Sequence, residues 1–217
     1  IGRVWTDEEM EHIVDLCVQY GVYLLSDEIH ADFGMTRPYT TAGRFEKIHD
    51  RLVVYTAISK TFNMAGLGSS CMMIPNPELK QKISDSYDAC WMFGPCDLAF
   101  TAMEAAYTHG DAWVDQQLAY LEGNVETVNT FVAEHMPGVQ VTKHEGTFLM
   151  WLDMTCFGKS SRELTSILAK EYGLALGDGS HYGTQAEGFM RLNIGCTRDT
   201  LIKGLEQMAV MYDKYVK

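Results

Sequence analysis

Residues 55–67 read YTAISKTFNMAGL. A single lysine, Lys60, closes an apolar run just before Phe62, Asn63 and a glycine pair at 66 and 68. Charged side chains are seldom buried without a partner, so the run either ends at the surface or holds the lysine in a site. Working back, RLVVYTA (51–57) is a short continuous apolar run rich in β-branched residues, the pattern of a strand covered on both faces. VYLLS (22–26) predicts a second buried strand and SSCMMI (69–74) a third. DEIHADFG (27–34) is the loop after the first.

Helices separate these runs. Thr6 before Asp7, Glu8 and Glu9 predicts a capped start, and Met10, Ile13, Val14 and Cys17 recur at helical spacing until Gly21. Asn76-Pro77 opens another helix, and LAFTAMEAAY lies in a further one. One long helix is expected from Asp111 to His135, with Gly123 a weak point and Pro137-Gly138 the stop. This order predicts an α/β layer on a mostly parallel sheet. Beyond it the texture changes. VQVTK and TFLMWLDM form strands around His144-Glu145-Gly146, SSRELTSILAKEYG forms a capped helix, FMRLNIG (189–195) forms a strand, and a helix after Thr197 closes the chain. That is a smaller α+β domain.

The 217 residues suffice for one large or two small domains, and 47% hydrophobic with 21% charged is ordinary for a globular protein. The net charge of −12 argues against a nucleic-acid or anionic-membrane partner. No run of about 18 apolar residues predicts a membrane span, and no signal peptide is visible. The six cysteines form no C-x-x-C pair and have no histidine cluster beside them, which speaks for buried free thiols in a reducing cytoplasm rather than a metal site.

Four residues could carry chemistry, and each has an ordinary alternative. Asp27 ends a strand, where open α/β sheets bind ligands; a carboxylate there can hold a protonated ring nitrogen, or merely cap a turn. His30 can touch a ligand or face water. Lys60 can be an amine nucleophile of the kind Schiff-base enzymes use, or a surface lysine. Arg191, inside FMRLNIG, can grip a carboxylate in two places or point to solvent. Together they match one reaction class. Pyridoxal phosphate needs an acid at its ring nitrogen and a lysine at its aldehyde, and amino-acid substrates bring a carboxylate.

SDEIHADF, TAISKTFNMAGL, EGTFLMWLD and GFMRLNIGCTR, in that order, resemble the fold-type I pyridoxal-phosphate enzymes of the class I/II aminotransferase family. The D-E-I-H and S-K-T-F-N-x-A-G-L forms are similar to its cystathionine β-lyase, or cysteine–sulfur lyase, branch. The resemblance implies that Lys60 forms the internal aldimine and then abstracts the α-proton. It implies that Asp27 pairs with the pyridine nitrogen and that His30 lies near the ring hydroxyl. Ser59 would touch the phosphate, and Arg191 would bind the substrate carboxylate. Gly68 stands where many relatives carry an arginine or lysine for the phosphate, and Ala57 where many carry a serine.

The resemblance also implies that residues 1–125 are the second half of a cofactor-binding large domain and 126–217 the small C-terminal domain. An N-terminal half is then expected to be missing, the sheet is expected to expose apolar edges, and a homodimer or association with that half is expected to cover them. The activity implied is a carbon–sulfur β-lyase. The alternatives are a class I/II aminotransferase, a non-catalytic fragment that inherits the fold, or a plain α/β domain with four coincidental residues.

Overall fold

The computed structural model describes residues 1–92 and 94–216. The chain divides into two compact units: Val4–Gln117, and Leu118–Lys217 together with Ile1–Arg3. No described helix is long and apolar enough to cross a membrane.

The Val4–Gln117 unit opens with helix α1 (Asp7–Tyr20). Its start is a reciprocal cap: the Glu9 N–H donates to the Thr6 hydroxyl at 3.1 Å, and the Thr6 N–H donates to the Glu9 carboxylate at 3.0 Å. Gly21 ends it in the left-handed conformation, φ +64°. Strand β1 (Leu24–Asp27) pairs in parallel with β2 (Leu52–Thr56), and β3 (Cys71–Met73) pairs with β2 in the antiparallel sense. The sheet order is β1-β2-β3, with one parallel and one antiparallel pair, so this sheet is mixed rather than mostly parallel within an α/β unit. The reversal follows from how the β2–β3 connection folds. Residues 57–70 hold only a one-turn helix, α2 (Ile58–Thr61), and a tight turn ending at Gly68 (φ +57°). Neither is a helix long enough to cross the sheet, the usual means of a parallel return. Helices α3 (Pro77–Ala89), α4 (Asp97–His109) and α5 (Asp111–His135) follow.

Central strand β2 is buried as its composition requires: Leu52, Val53 and Val54 are all enclosed. It packs with Met10 and Val14 of α1 and with Ala42 and Ile48 of the loop after β1. Strand β1 is not buried on both faces as VYLLS alone suggests, but it is the exposed apolar edge that the resemblance implies. It is an edge strand, and Leu25 is 63% exposed beside open Val22 and Tyr23. The apolar run is the same, but only one face of it is covered. A second core gathers Ile58, Met103 and Ala106, with Phe62, Met64 and Leu67 against it.

The second unit holds a four-stranded antiparallel sheet, β4-β5-β7-β6, from Gln140–Val141, Leu149–Asp153, Phe189–Asn193 and Gly177–Asp178 respectively. Helices α6 (Ser161–Tyr172) and α7 (Arg198–Tyr215) pack on each other. Helix α5 runs unbroken through Gly123. A Cβ there would lie 2.6 Å from Arg198 Nη2, so the glycine makes room for the arginine. All six cysteines are unpaired, but none is fully buried; Cys90 and Cys96 are exposed, at the ends of the connection between α3 and α4.

Candidate active site

Alternation along β1 decides which side chains leave the sheet. Ser26 and Glu28 turn inward. The Glu28 carboxylate, 6% exposed, accepts from the Ser26 hydroxyl at 2.9 Å and from the Ala42 N–H at 3.0 Å. The Glu28 N–H extends the parallel ladder to the Tyr55 carbonyl at 2.8 Å. Burial pushes the nearby Tyr39 phenol up, and the Glu28 charge adds to that. With its neighbours fixed inward, Asp27 faces outward at the C-terminal end of the strand. It is exposed, and its Oδ1 accepts from the Ile29 N–H at 3.2 Å. His30 follows, half-buried, its ring 5.9 Å from that of Phe33.

Lys60 stands in the α2 turn just past the C-terminal end of β2, not in the strand. Ile58 and Thr61 are buried under the turn, and Ser59 and Lys60 lie half-buried on its outer side. Among the described residues Lys60 has no acidic partner within ion-pair distance. The Asp27–Tyr55 register then brings Asp27, His30, Ser59 and Lys60 to one edge of the sheet, where the parallel strands end.

The peptide after Lys60 is held from several sides. The Thr61 hydroxyl donates to Asp32 Oδ2 at 2.7 Å, and the Trp113 indole N–H donates to the Thr61 carbonyl at 3.2 Å. Phe62 meets Tyr107 edge-on, with ring centroids 6.0 Å apart. A cleft lined by Asp32, Phe62, Tyr107, Asp111, Val114 and Asp115 opens beside this cluster, and neither Asp27 nor Lys60 lines it. Sequence reading overlooked Glu28, Asp32, Thr61 and Trp113. Glu28 had a signal: it shares the inward parity of Ser26.

Arg191 belongs to the other unit. Met190 and Leu192 on either side of it are buried, so Arg191 takes the opposite face of β7, between Trp151 of β5 and Gly177 of β6. Its guanidinium lies over the Tyr182 ring, 5.0 Å from the centroid, and that ring stands edge-on to Trp151 at 5.2 Å. A Cβ at Gly177 would sit 3.1 Å from Arg191 Cβ and 3.3 Å from Nε, so the glycine leaves the side chain its place. Among the described residues no carboxylate pairs with Arg191. The fork is thus stacked, half-buried and open to an anion.

Comparison with known proteins adds three findings. The family model for aminotransferase class I and II matches residues 1–208. Cystathionine beta-lyase PatB of Bacillus subtilis is 37% identical over 95% of this chain and 54% of its own, and protein MalY of Escherichia coli is 32% identical over 94% of this chain and 52% of its own. The crystal structure of cystalysin from Treponema denticola, which contains a pyridoxal 5'-phosphate cofactor, superposes with a TM-score of 0.93 at 28% identity, over 100% of this chain and 55% of that one. The chain spans about half the length of the curated relatives it matches.

Proposed function

The chain belongs to the aminotransferase class I and II family, and on that premise we propose that it carries the lysine, acid and arginine of a pyridoxal-phosphate site in a carbon–sulfur β-lyase acting on amino acids. The observation that carries the reading is the parallel pairing of β1 with β2, which sets Asp27 and Lys60 at neighbouring strand ends.

The residues present fit the cofactor. An outward carboxylate and an amine with no acid beside it are the two groups its ring nitrogen and aldehyde require. When bound, pyridoxal phosphate supplies an aldehyde that links to amines and a ring that takes up the electron pair left at Cα. Lys60 is the amine that would hold it. With substrate held there, Lys60 Nζ would be the general base that accepts the Cα proton. Asp27 would keep a proton on the ring nitrogen by charge attraction. His30 serves the ring hydroxyl and Ser59 the phosphate. Arg191 binds the substrate carboxylate through two N–H groups, its plane already fixed by Tyr182.

The net lyase reaction cleaves the Cβ–S bond and consumes water, giving a thiol, pyruvate and ammonia. The identity to a cystathionine beta-lyase favours this outcome over transamination. Exposed Val22, Tyr23 and Leu25 support a covering partner, either a second copy of the chain or an N-terminal half. Six unpaired thiols support a reducing, cytoplasmic location.

The test is borohydride trapping. Protein incubated with pyridoxal phosphate, reduced and digested should carry a pyridoxyl mass on Lys60, and Lys60→Ala should carry none. Pyruvate released from cystathionine identifies the lyase; keto acid formed from an amino donor, without pyruvate, identifies the aminotransferase instead. Unlabelled wild-type protein refutes both.

A further inference from the structure

We propose that Asp32 is a positioning residue for Lys60, acting through Thr61; the inference rests on the reading of Lys60 as the cofactor-binding lysine. Asp27 and His30 lie on the loop after β1, Lys60 on the turn after β2, and the last backbone ladder bond between these segments is Glu28 N–H to Tyr55. Past that point the backbone ladder ends. The bond from the Thr61 hydroxyl to Asp32 Oδ2, 2.7 Å long, joins them again. It is a hydrogen bond to a charged acceptor, the stronger kind, and its donor is 2% exposed.

The other contacts of this segment share the task. Ile58 is fully buried in the second core, Trp113 fixes the Thr61 carbonyl, and Phe62 lies where Gly110 leaves room, since a Cβ at 110 would collide with its ring. The backbone on both sides of Lys60 is therefore anchored, while among the described residues no acid holds its side chain. The amine of a four-carbon side chain goes where its backbone points it, and a misplacement of about 1 Å can cost roughly a hundredfold in rate. Asp32 supplies the part of the anchoring that refers Lys60 to the segment bearing Asp27.

The experiment measures how fast Lys60 is trapped as pyridoxal phosphate concentration is raised, by borohydride quench and peptide mass. Thr61→Val should lower the saturating rate roughly tenfold while the half-saturating concentration stays within about threefold. Thr61→Ser, which keeps the hydroxyl, should stay within about threefold of wild type. Asp32→Ala changes an exposed side chain and should match Thr61→Val, and the double variant should be no slower than the slower single one. Without cofactor, amide hydrogen exchange across residues 58–62 should quicken in Thr61→Val and Asp32→Ala alike. A wild-type trapping rate in both variants, or a Thr61→Ser as slow as Thr61→Val, overturns the positioning role and leaves the proposed function standing. Wild-type protein that takes no label removes both.

Discussion

Tyr55 is the Cα partner of Asp27 in the parallel β1–β2 ladder. That register makes two loops neighbours, although each is ordinary in sequence. The buried Glu28 enforces it, because a one-residue slip would turn the carboxylate of Glu28 out and that of Asp27 in. Asp27→Asn keeps the shape and removes the charge. It should weaken pyridoxal-phosphate binding roughly tenfold or more, the value of one charged hydrogen bond. The urea midpoint of the cofactor-free protein should move little, since Asp27 is exposed. Spectroscopic titration against chemical denaturation separates the two. Equal affinity in the variant would remove Asp27 from the ring nitrogen.

Arg191 makes the sharper demand on geometry. A lysine retains the charge but neither the fork nor the flat face that stacks on Tyr182. Arg191→Lys should therefore lower kcat/KM by roughly ten- to a hundredfold, mostly through KM. Gly177→Ala should do part of the same damage without touching the charge, by placing a methyl against Arg191 Cβ and Nε. Steady-state kinetics on both variants check this. An unchanged KM in Arg191→Lys would assign the carboxylate to another residue.

What the sequence shows and what it hides divide along the range of the interactions. Both reciprocal helix caps, Thr6 with Glu9 and Ser160 with Glu163, are three-residue events and could be read directly. So could β2, whose apolar run matches its burial on both faces. The same kind of run in β1 stands open on one face, because exposure depends on what lies beside a strand, which VYLLS does not record. The direction of β3 depends on the path of the chain between strands, and two-residue β6 is too short to leave a periodic trace. Asp27 and Lys60 stand out because chemistry favours those residue types at strand ends. Asp32 and Thr61 do not, because 29 positions separate them and only the folded register makes them a pair.

The pH dependence of stability should carry the mark of one histidine. His144 Nε2 lies 2.9 Å from the Thr147 carbonyl, and its Nδ1 is enclosed with no hydrogen-bond partner among the described residues. Protonation would place a second N–H at that enclosed nitrogen. Burial accordingly holds the His144 pKa below its ordinary 6.5, while the Thr147 carbonyl pulls the other way. The sign follows from linkage. With the folded pKa below the unfolded one, the unfolded chain binds more protons between the two values, so stability rises with pH there. The contribution is complete above the unfolded value and is lost as pH falls through the lowered one. Wild-type protein should thus show a lower urea midpoint at about pH 5.5 than at about pH 7.5. His144→Gln, whose amide can still donate to Thr147, should flatten that difference. The depressed carboxylates Asp7, Glu163, Glu171 and Asp178 titrate below this window and do not supply the slope. A wild-type midpoint that does not change between the two pH values would mean that His144 gains its proton freely in the folded chain, and the enclosed Nδ1 would need an acceptor.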